Sequence, residues 1–427
     1  MGIIRDTLRD KVADGLSACI GCRECLRACP VAPPGLRIAD LNHWTAGDAP
    51  LAASAPIPTP VSPAPAATEV VAVADAAISS PAPPAAMVAR LAEECFQCGM
   101  CVPVCPSGLE RDAMVLWLKS RLTPRPAEYD ASLRRRGPAQ TVGEKVGVTV
   151  HNLLHRGRLG SLSRHVDKRS LQPADTLFFF GCNIFSTTGM GEKILAIADY
   201  LKCRYEVLGG LSSCCGWSSY LSGDLDGAGE MMSHLAGRIA KVAPKEVITP
   251  GSECYAALSR IAAVHRTPFT PVTVASWLRR NLHRFPLRHF PGTMTFHDAC
   301  HSSRKLGEGE EPRRILRQLG ALVEMRRFGD DAPCCGHHQF GVNPAQVEAL
   351  RADRLAMARD AGAARMVVEC VRCQESFAPG AEAAQVEVLS LVDLVYDLLP
   401  SGDRPQARPV HFAPPVQKGD QIPIEGM

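Results

Sequence analysis

Long apolar runs are missing from this 427-residue chain. No stretch reaches the roughly 18 consecutive apolar residues that a membrane-crossing helix needs. The opening MGIIRDTLRDKVADG mixes charges of both signs without an apolar centre, so no secretory leader is expected. Aromatic residues make up only 5% of the chain, and a formal net charge of +3 gives no electrostatic case for nucleic acid. No G-x-G-x-x-G follows an expected strand and no P-loop occurs, so any flavin in the reaction is expected on another chain. Cysteine, by contrast, is abundant, at 18 residues. With no export signal, these thiols point to a reducing compartment where they are available to metals. The expected address is cytoplasmic, with any inner-membrane contact made peripherally through partners.

Eight of the cysteines fall into two short runs. CIGCRECLRACP carries Cys19, Cys22, Cys25 and Cys29 ahead of Pro30, and CFQCGMCVPVCP carries Cys95, Cys98, Cys101 and Cys105 ahead of Pro106. Both fit C-x2-C-x2-C-x3-C-P, the bacterial 4Fe–4S run, in which the fourth cysteine ligates the other cluster. One cluster is therefore expected on Cys19, Cys22, Cys25 and Cys105, and the second on Cys95, Cys98, Cys101 and Cys29. A zinc ribbon takes its four ligands as two pairs and gains nothing from a third closely spaced cysteine. Between the runs, residues 46–86 are rich in Pro and Ala with little charge, a composition that forms an extended excursion and not a core. LERDAMVLWLKSRL beyond the second run has helical apolar spacing, with Trp117 as a packing residue.

Nine more cysteines form an internal repeat. Cys182, Cys214, Cys215 and Cys254 stand in FFFGC, SSCCGW and GSECYAAL. Cys300, Cys334, Cys335, Cys370 and Cys373 stand in FHDAC, APCCGH and ECVRC, in the same order and at nearly the same intervals. Each copy reads strand (TLFFF; TMTF), helix, strand (YEVL; LVEM), Cys-Cys-Gly turn, long helix, strand (EVITP; RMVVE). A small parallel or mixed sheet is expected in each, with cysteines where loops leave the strand ends. Gly216 and Gly336 let the backbone turn sharply after the paired cysteines. Four thiolates also satisfy zinc, but five exceed what zinc uses. Cys203, outside the pattern, reads as apolar filler.

This order of motifs resembles the CCG-domain proteins, namely the catalytic subunit of heterodisulfide reductase and the iron–sulfur subunits of glycolate, lactate and anaerobic glycerol-3-phosphate dehydrogenases. The resemblance implies a noncubane 4Fe–4S cluster on Cys300, Cys334, Cys335, Cys370 and Cys373. The first copy departs from the pattern, because Gly251 stands where the second has Cys370. Zinc, a further Fe–S centre or an empty site are open there. The implied class is α plus α/β, and the expected division has five parts. A mainly helical two-cluster ferredoxin-type domain (1–130, insert 46–86) is followed by a basic linker (131–172), a first CCG module (173–288), a second (289–400) and a tail (401–427).

Several one-electron centres without a nucleotide fingerprint suit a relay beside a flavin partner. The chain is expected to be an iron–sulfur electron-transfer subunit carrying electrons from a flavoprotein dehydrogenase or reductase subunit to a quinone or other acceptor. The alternative is a heterodisulfide-reductase-like subunit that cleaves a disulfide at the noncubane site. His297, Asp298, His301, His337 and His338 flank the second Cys-Cys-Gly site. The histidines either relay protons to a leaving thiolate or hydrogen-bond the sulfurs and tune potential, the second being the simpler role. The basic residues from Arg134 to Arg169 form a solvated connector or a docking site for an acidic partner or anionic lipid.

Overall fold

The computed structural model describes residues 3–47, 51–52, 84–123, 142–186, 188–265, 267–337 and 343–400. Most of the Pro/Ala-rich insert, Arg134 to Arg136, His338 and the tail from 401 lie outside the described residues. No helix among the described residues is long and apolar enough to cross a membrane.

The N-terminal part is mainly helical. Helices Ile3–Ala18, Ile38–Ala46, Pro84–Glu94 and Arg111–Lys119 pack around the two cysteine runs. Two-residue strands β1 (Leu51–Ala52) and β2 (Leu122–Thr123) pair in parallel beside them. Trp117 is buried with Ile4, Leu8 and Val12 of the first helix, the packing role its spacing implies.

Two four-stranded parallel sheets follow. β3 (Thr176–Gly181), β4 (Tyr205–Gly209), β5 (Glu246–Thr249) and β6 (Thr270–Thr273) are ordered β4-β3-β5-β6. β7 (Thr293–His297), β8 (Ala321–Leu322), β9 (Arg365–Val368) and β10 (Glu387–Ser390) are ordered β10-β9-β7-β8. Numbered within its own copy, each sheet runs 2-1-3-4, as the repeated cysteine order implies. The run TLFFFG is apolar throughout because both faces of its strand are covered. Phe178 and Phe180 point into one core, whereas Leu177 and Phe179 point into another. β9 behaves likewise, with Val367 in the first of those cores and Met366 and Val368 in a third. That first core, which holds Phe178 and Val367, also takes Phe296 and Ile315, so it draws on both sheets.

Each fourth strand runs straight into a capped helix. Thr273 Oγ1 accepts from Ser276 N at 3.0 Å, and Ser390 Oγ accepts from Asp393 N at 3.0 Å in a full capping box. The strand expected at LVEM is shorter, ending at Leu322. The chain leaves the sheet where Arg313 holds the Glu324 carboxylate at 2.9 Å. Within the basic connector, Val142–Leu159 is an 18-residue helix. Cys203 is half-buried at the edge of the core between the sheets.

Candidate metal centres

Each N-terminal cysteine run curls inward through two left-handed residues at matching positions. These are Gly21 and Arg23 in the first run, with φ of 77° and 72°, and Gln97 and Gly99 in the second, with φ of 55° and 74°. A left-handed backbone is unfavourable for Arg and Gln, so the surrounding contacts must hold it. For Gln97 they are visible: its backbone N and its side-chain Nε2 both donate to Cys95 Sγ, at 3.4 and 3.3 Å.

The eight sulfurs fall into two groups. Cys19, Cys22, Cys25 and Cys105 line one cavity. Cys29 instead faces Cys95 and Cys98, and Cys101 faces Cys98, Cys95 and Cys29. Burial, reinforced by these neighbouring sulfurs, pushes the thiols of Cys29 and Cys101 far up. Four soft sulfur donors gathered in this way are a suitable metal cradle.

Cationic and amide donors surround both groups. Arg111 Nη2 donates to Cys19 Sγ at 3.0 Å, and its Nη1 holds Asn42, whose amide donates to the same sulfur at 3.2 Å. Burial raises the Cys19 thiol, but the hydrogen bonds from Asn42 and Gly21 and the charge and hydrogen bond of Arg111 outweigh it, and the thiol ends lowered. Lys119, 1% exposed, donates from Nζ to Cys95 O at 2.9 Å, and burial brings its ammonium down to about 8. The repeat patterns did not single out these residues. The readable signal was charge at buried helical positions, as with Lys119 at the end of MVLWLK.

In the second Cys-Cys-Gly copy, Cys300 opens the turn beyond β7, and Cys370 and Cys373 begin the helix beyond β9. Gly336 has φ 70° and Gly216 has φ 75°, so both take the left-handed turn expected of them. A Cβ on Gly216 would meet Ala228 O at 2.9 Å, so the close approach also excludes a side chain. Cys334 lies within hydrogen-bonding reach of Cys300, Cys335 and, from the N-terminal run, Cys98. Cys373 in turn reaches Cys335 and Cys370. The neighbouring Cys334 thiol favours the ionised forms of Cys300 and Cys98, holding Cys300 well below its ordinary range and bringing Cys98 down to about 7.

The histidines separate by position. His297 is buried, and its Nδ1 accepts from Arg354 Nε at 3.0 Å. Burial brings Arg354 down only to about 10, so it is still a donor at neutral pH. This fixes the tautomer, with the His297 proton on Nε2. A His297 ring nitrogen and the Cys335 and Cys373 sulfurs lie within 4.8 Å of one another. His301 Nδ1 is 3.3 Å from Cys300 Sγ, and its ring stands edge-on to Trp217 at 5.7 Å. His337 donates its backbone N–H to Cys335 Sγ at 3.5 Å.

Asp298 does not face the sulfurs. It is clamped by Arg313 at 2.6 and 2.8 Å and accepts from Gly329 N at 2.8 Å, fixing the exit of β7 two residues before Cys300. Arg313→Met leaves this carboxylate buried beside a single donor and is expected to cost about 3–5 kcal/mol. Thermal unfolding and iron content measured together check this, and an unchanged melting temperature would refute it.

The first copy is built differently. Cys182 and Cys214 sulfurs are 3.7 Å apart, and Cys215 and Cys254 sulfurs 3.9 Å. Asn183 stands where the second copy has His301, and its Nδ2 reaches Cys254 Sγ at 3.8 Å. A Cβ on Gly251 would meet that same amide at 3.4 Å and Cys254 Sγ at 3.5 Å. Ser252 and Glu253 extend from this copy into the cavity that also holds Cys300, Cys335, His301 and Arg372.

Comparison with known proteins matches residues 176–259 and 294–378 to a cysteine-rich domain family, CCG, and residues 16–32 and 92–108 to a 4Fe-4S binding domain. The chain is 26% identical to a subunit of the dihydromethanophenazine:CoB–CoM heterodisulfide reductase from Methanosarcina mazei, over 57% of this chain and 61% of that protein. The same subunit from Methanosarcina barkeri is 24% identical over 71% of this chain and 77% of its own length. Lactate utilization protein A of Geobacillus thermodenitrificans is 27% identical over 35% of this chain and 66% of that protein. The chain thus carries paired 4Fe-4S binding motifs ahead of two copies of a cysteine-rich CCG domain, and it is similar to subunits of iron–sulfur oxidoreductases.

Proposed function

We propose that this chain is the electron-transferring iron–sulfur subunit of a flavin-dependent dehydrogenase complex, taking electrons from a flavoprotein partner and passing them to a quinone or other acceptor. The observation that carries this reading is the packing of Cys95 and Cys98 in one buried core with Cys334, Cys335, Cys370 and Cys373, where Arg304 Nη1 donates to Cys98 O at 2.6 Å. In this reading Cys19, Cys22, Cys25 and Cys105 hold one 4Fe–4S cluster, and Cys29, Cys95, Cys98 and Cys101 hold the other. Cys300, Cys334, Cys335, Cys370 and Cys373 hold a noncubane cluster, and Cys182, Cys214, Cys215 and Cys254 hold zinc or a less redox-active centre. Bound there, such groups supply one-electron transfer. The chain's own residues supply the rest. Arg111, Asn42 and Lys119 stabilise negative charge at the N-terminal sulfurs, and the Arg354–His297 pair presents an N–H to Cys335. Exposed Cys22 marks the side from which a partner approaches.

A second reading, disulfide reduction, is favoured by the cavity at Cys300 and Cys335, which brings His301, His337 and Arg372 beside those sulfurs. Reducing the isolated, cluster-replete chain with dithionite and offering low-molecular-weight disulfides separates the two. The relay predicts no turnover, and no dehydrogenase activity towards hydroxy acids or glycerol phosphate. Robust disulfide reduction that Cys335→Ser abolishes would overturn the relay.

A further inference from the structure

The helix Val142–Leu159 has its polar side turned inward. His151 and His155 stand edge-on to Phe185 with ring centroids at 4.7 and 5.6 Å, and Asn152 Nδ2 donates to Asp167 at 2.8 Å. Its outward side carries Val142, Val146, Val150, Leu153 and Leu154, between 48% and 77% exposed. At 3.6 residues per turn these five fall within an arc of about 120°. They are half of the ten large apolar side chains exposed among the described residues. A helix whose outer face meets only water shows the reverse pattern, so this face is suited to an apolar occupant.

Charge identifies the occupant. Lys145 and Arg156 are exposed on the same helix. From Arg134 to Arg169 the sequence has nine Lys and Arg (134, 135, 136, 145, 156, 158, 164, 168, 169) against two acids (144, 167). The stripe itself is purely aliphatic, without the aromatic, Met or Arg anchors that concentrate at protein–protein interfaces. It is also convex, one helix lying on the surface. An aliphatic stripe flanked by cations on a surface helix matches the interface of an anionic bilayer. We propose that this helix docks the protein on anionic lipid, lying in the plane of the membrane with Val146, Val150, Leu153 and Leu154 towards the acyl chains.

Vesicle flotation with the full, cluster-replete chain tests this. Vesicles of phosphatidylcholine with phosphatidylglycerol should carry the protein, and phosphatidylcholine alone should bind it at least about tenfold more weakly, the difference shrinking as salt rises. Val146→Ser with Leu153→Ser should weaken binding about tenfold or more, with iron content and circular dichroism unchanged. Lys145→Ser with Arg156→Ser should lose about tenfold on anionic vesicles and nothing on neutral ones. The proposal fails if the wild type does not float with anionic vesicles, or if the aliphatic double variant floats as well as the wild type. It fails equally if that variant instead turns a wild-type dimer into a monomer, which would make a second copy the occupant.

Discussion

Cys335→Ser is expected to cut electron delivery through the chain by at least about a hundredfold, while a flavoprotein donor remains fully reducible by its own substrate. Losing an outer-sphere partner of a metal site typically costs about 10–100-fold, and Cys335 is more central than that. Its sulfur lies within 4.8 Å of Cys373 Sγ and a His297 ring nitrogen, and Cys334 precedes it directly in the chain, so it links both sides of the C-terminal sulfur set. A serine oxygen at this position is a harder and more basic donor than a thiolate. The control is His297→Gln, which removes the imidazole beside Cys335 but no sulfur. It should shift the reduction potential of the C-terminal centre and leave iron content and electron delivery largely intact. Stopped-flow reduction of the partner's flavin and of the final acceptor, recorded on the same complex, reads both steps. If acceptor reduction survives Cys335→Ser, electrons bypass this site and the relay through it is wrong.

What could be read before the structure was the order of parts. Cysteine spacing is a covalent fact, and the twofold Cys…Cys-Cys-Gly…Cys pattern carries the strand–helix rhythm with it because each cysteine stands at a strand exit. The short apolar run TLFFFG was legible as a strand, although that both of its faces are buried follows only from the layers around it. The donors around the sulfurs were not legible. Arg354 reaches His297 across 57 positions, and Arg304 Nη1 reaches Cys98 O at 2.6 Å across 206. Contacts at such separations depend on the packing of helices against sheets, which no local pattern encodes. The early end of β8 was missed for a similar reason. LVEM has strand-forming residues, but an ion pair to Arg313 on a neighbouring helix draws Glu324 away from the ladder. The surroundings of the second sulfur set were not legible either, because Phe96 and Glu253 come to its cavity from two other parts of the chain.

Cys19→Ser and Cys105→Ser, 86 positions apart, are expected to remove the same 4Fe–4S signal, each with a loss of about four irons per chain, and combining them should cost no further iron. Cys29→Ser and Cys95→Ser should form the other such pair. Cys105 shares a cavity with Cys19, Cys22 and Cys25, whereas Cys29 feels the charge of Cys95 and Cys98. The flanking cations give an independent check that leaves every sulfur in place. Arg111 donates to Cys19, and Lys119 sits under Cys95. Removing a buried cation beside an anionic centre disfavours its reduced, more negative state. Arg111→Leu should therefore lower the potential of the centre that Cys105→Ser destroys, and Lys119→Met that of the centre that Cys29→Ser destroys. Electron paramagnetic resonance during redox titration distinguishes the two. If Cys105→Ser instead removed the signal that Cys95→Ser removes, each run would bind its own cluster. The chain would then have to bring Cys105 back to Cys95, away from the cavity it shares with Cys19.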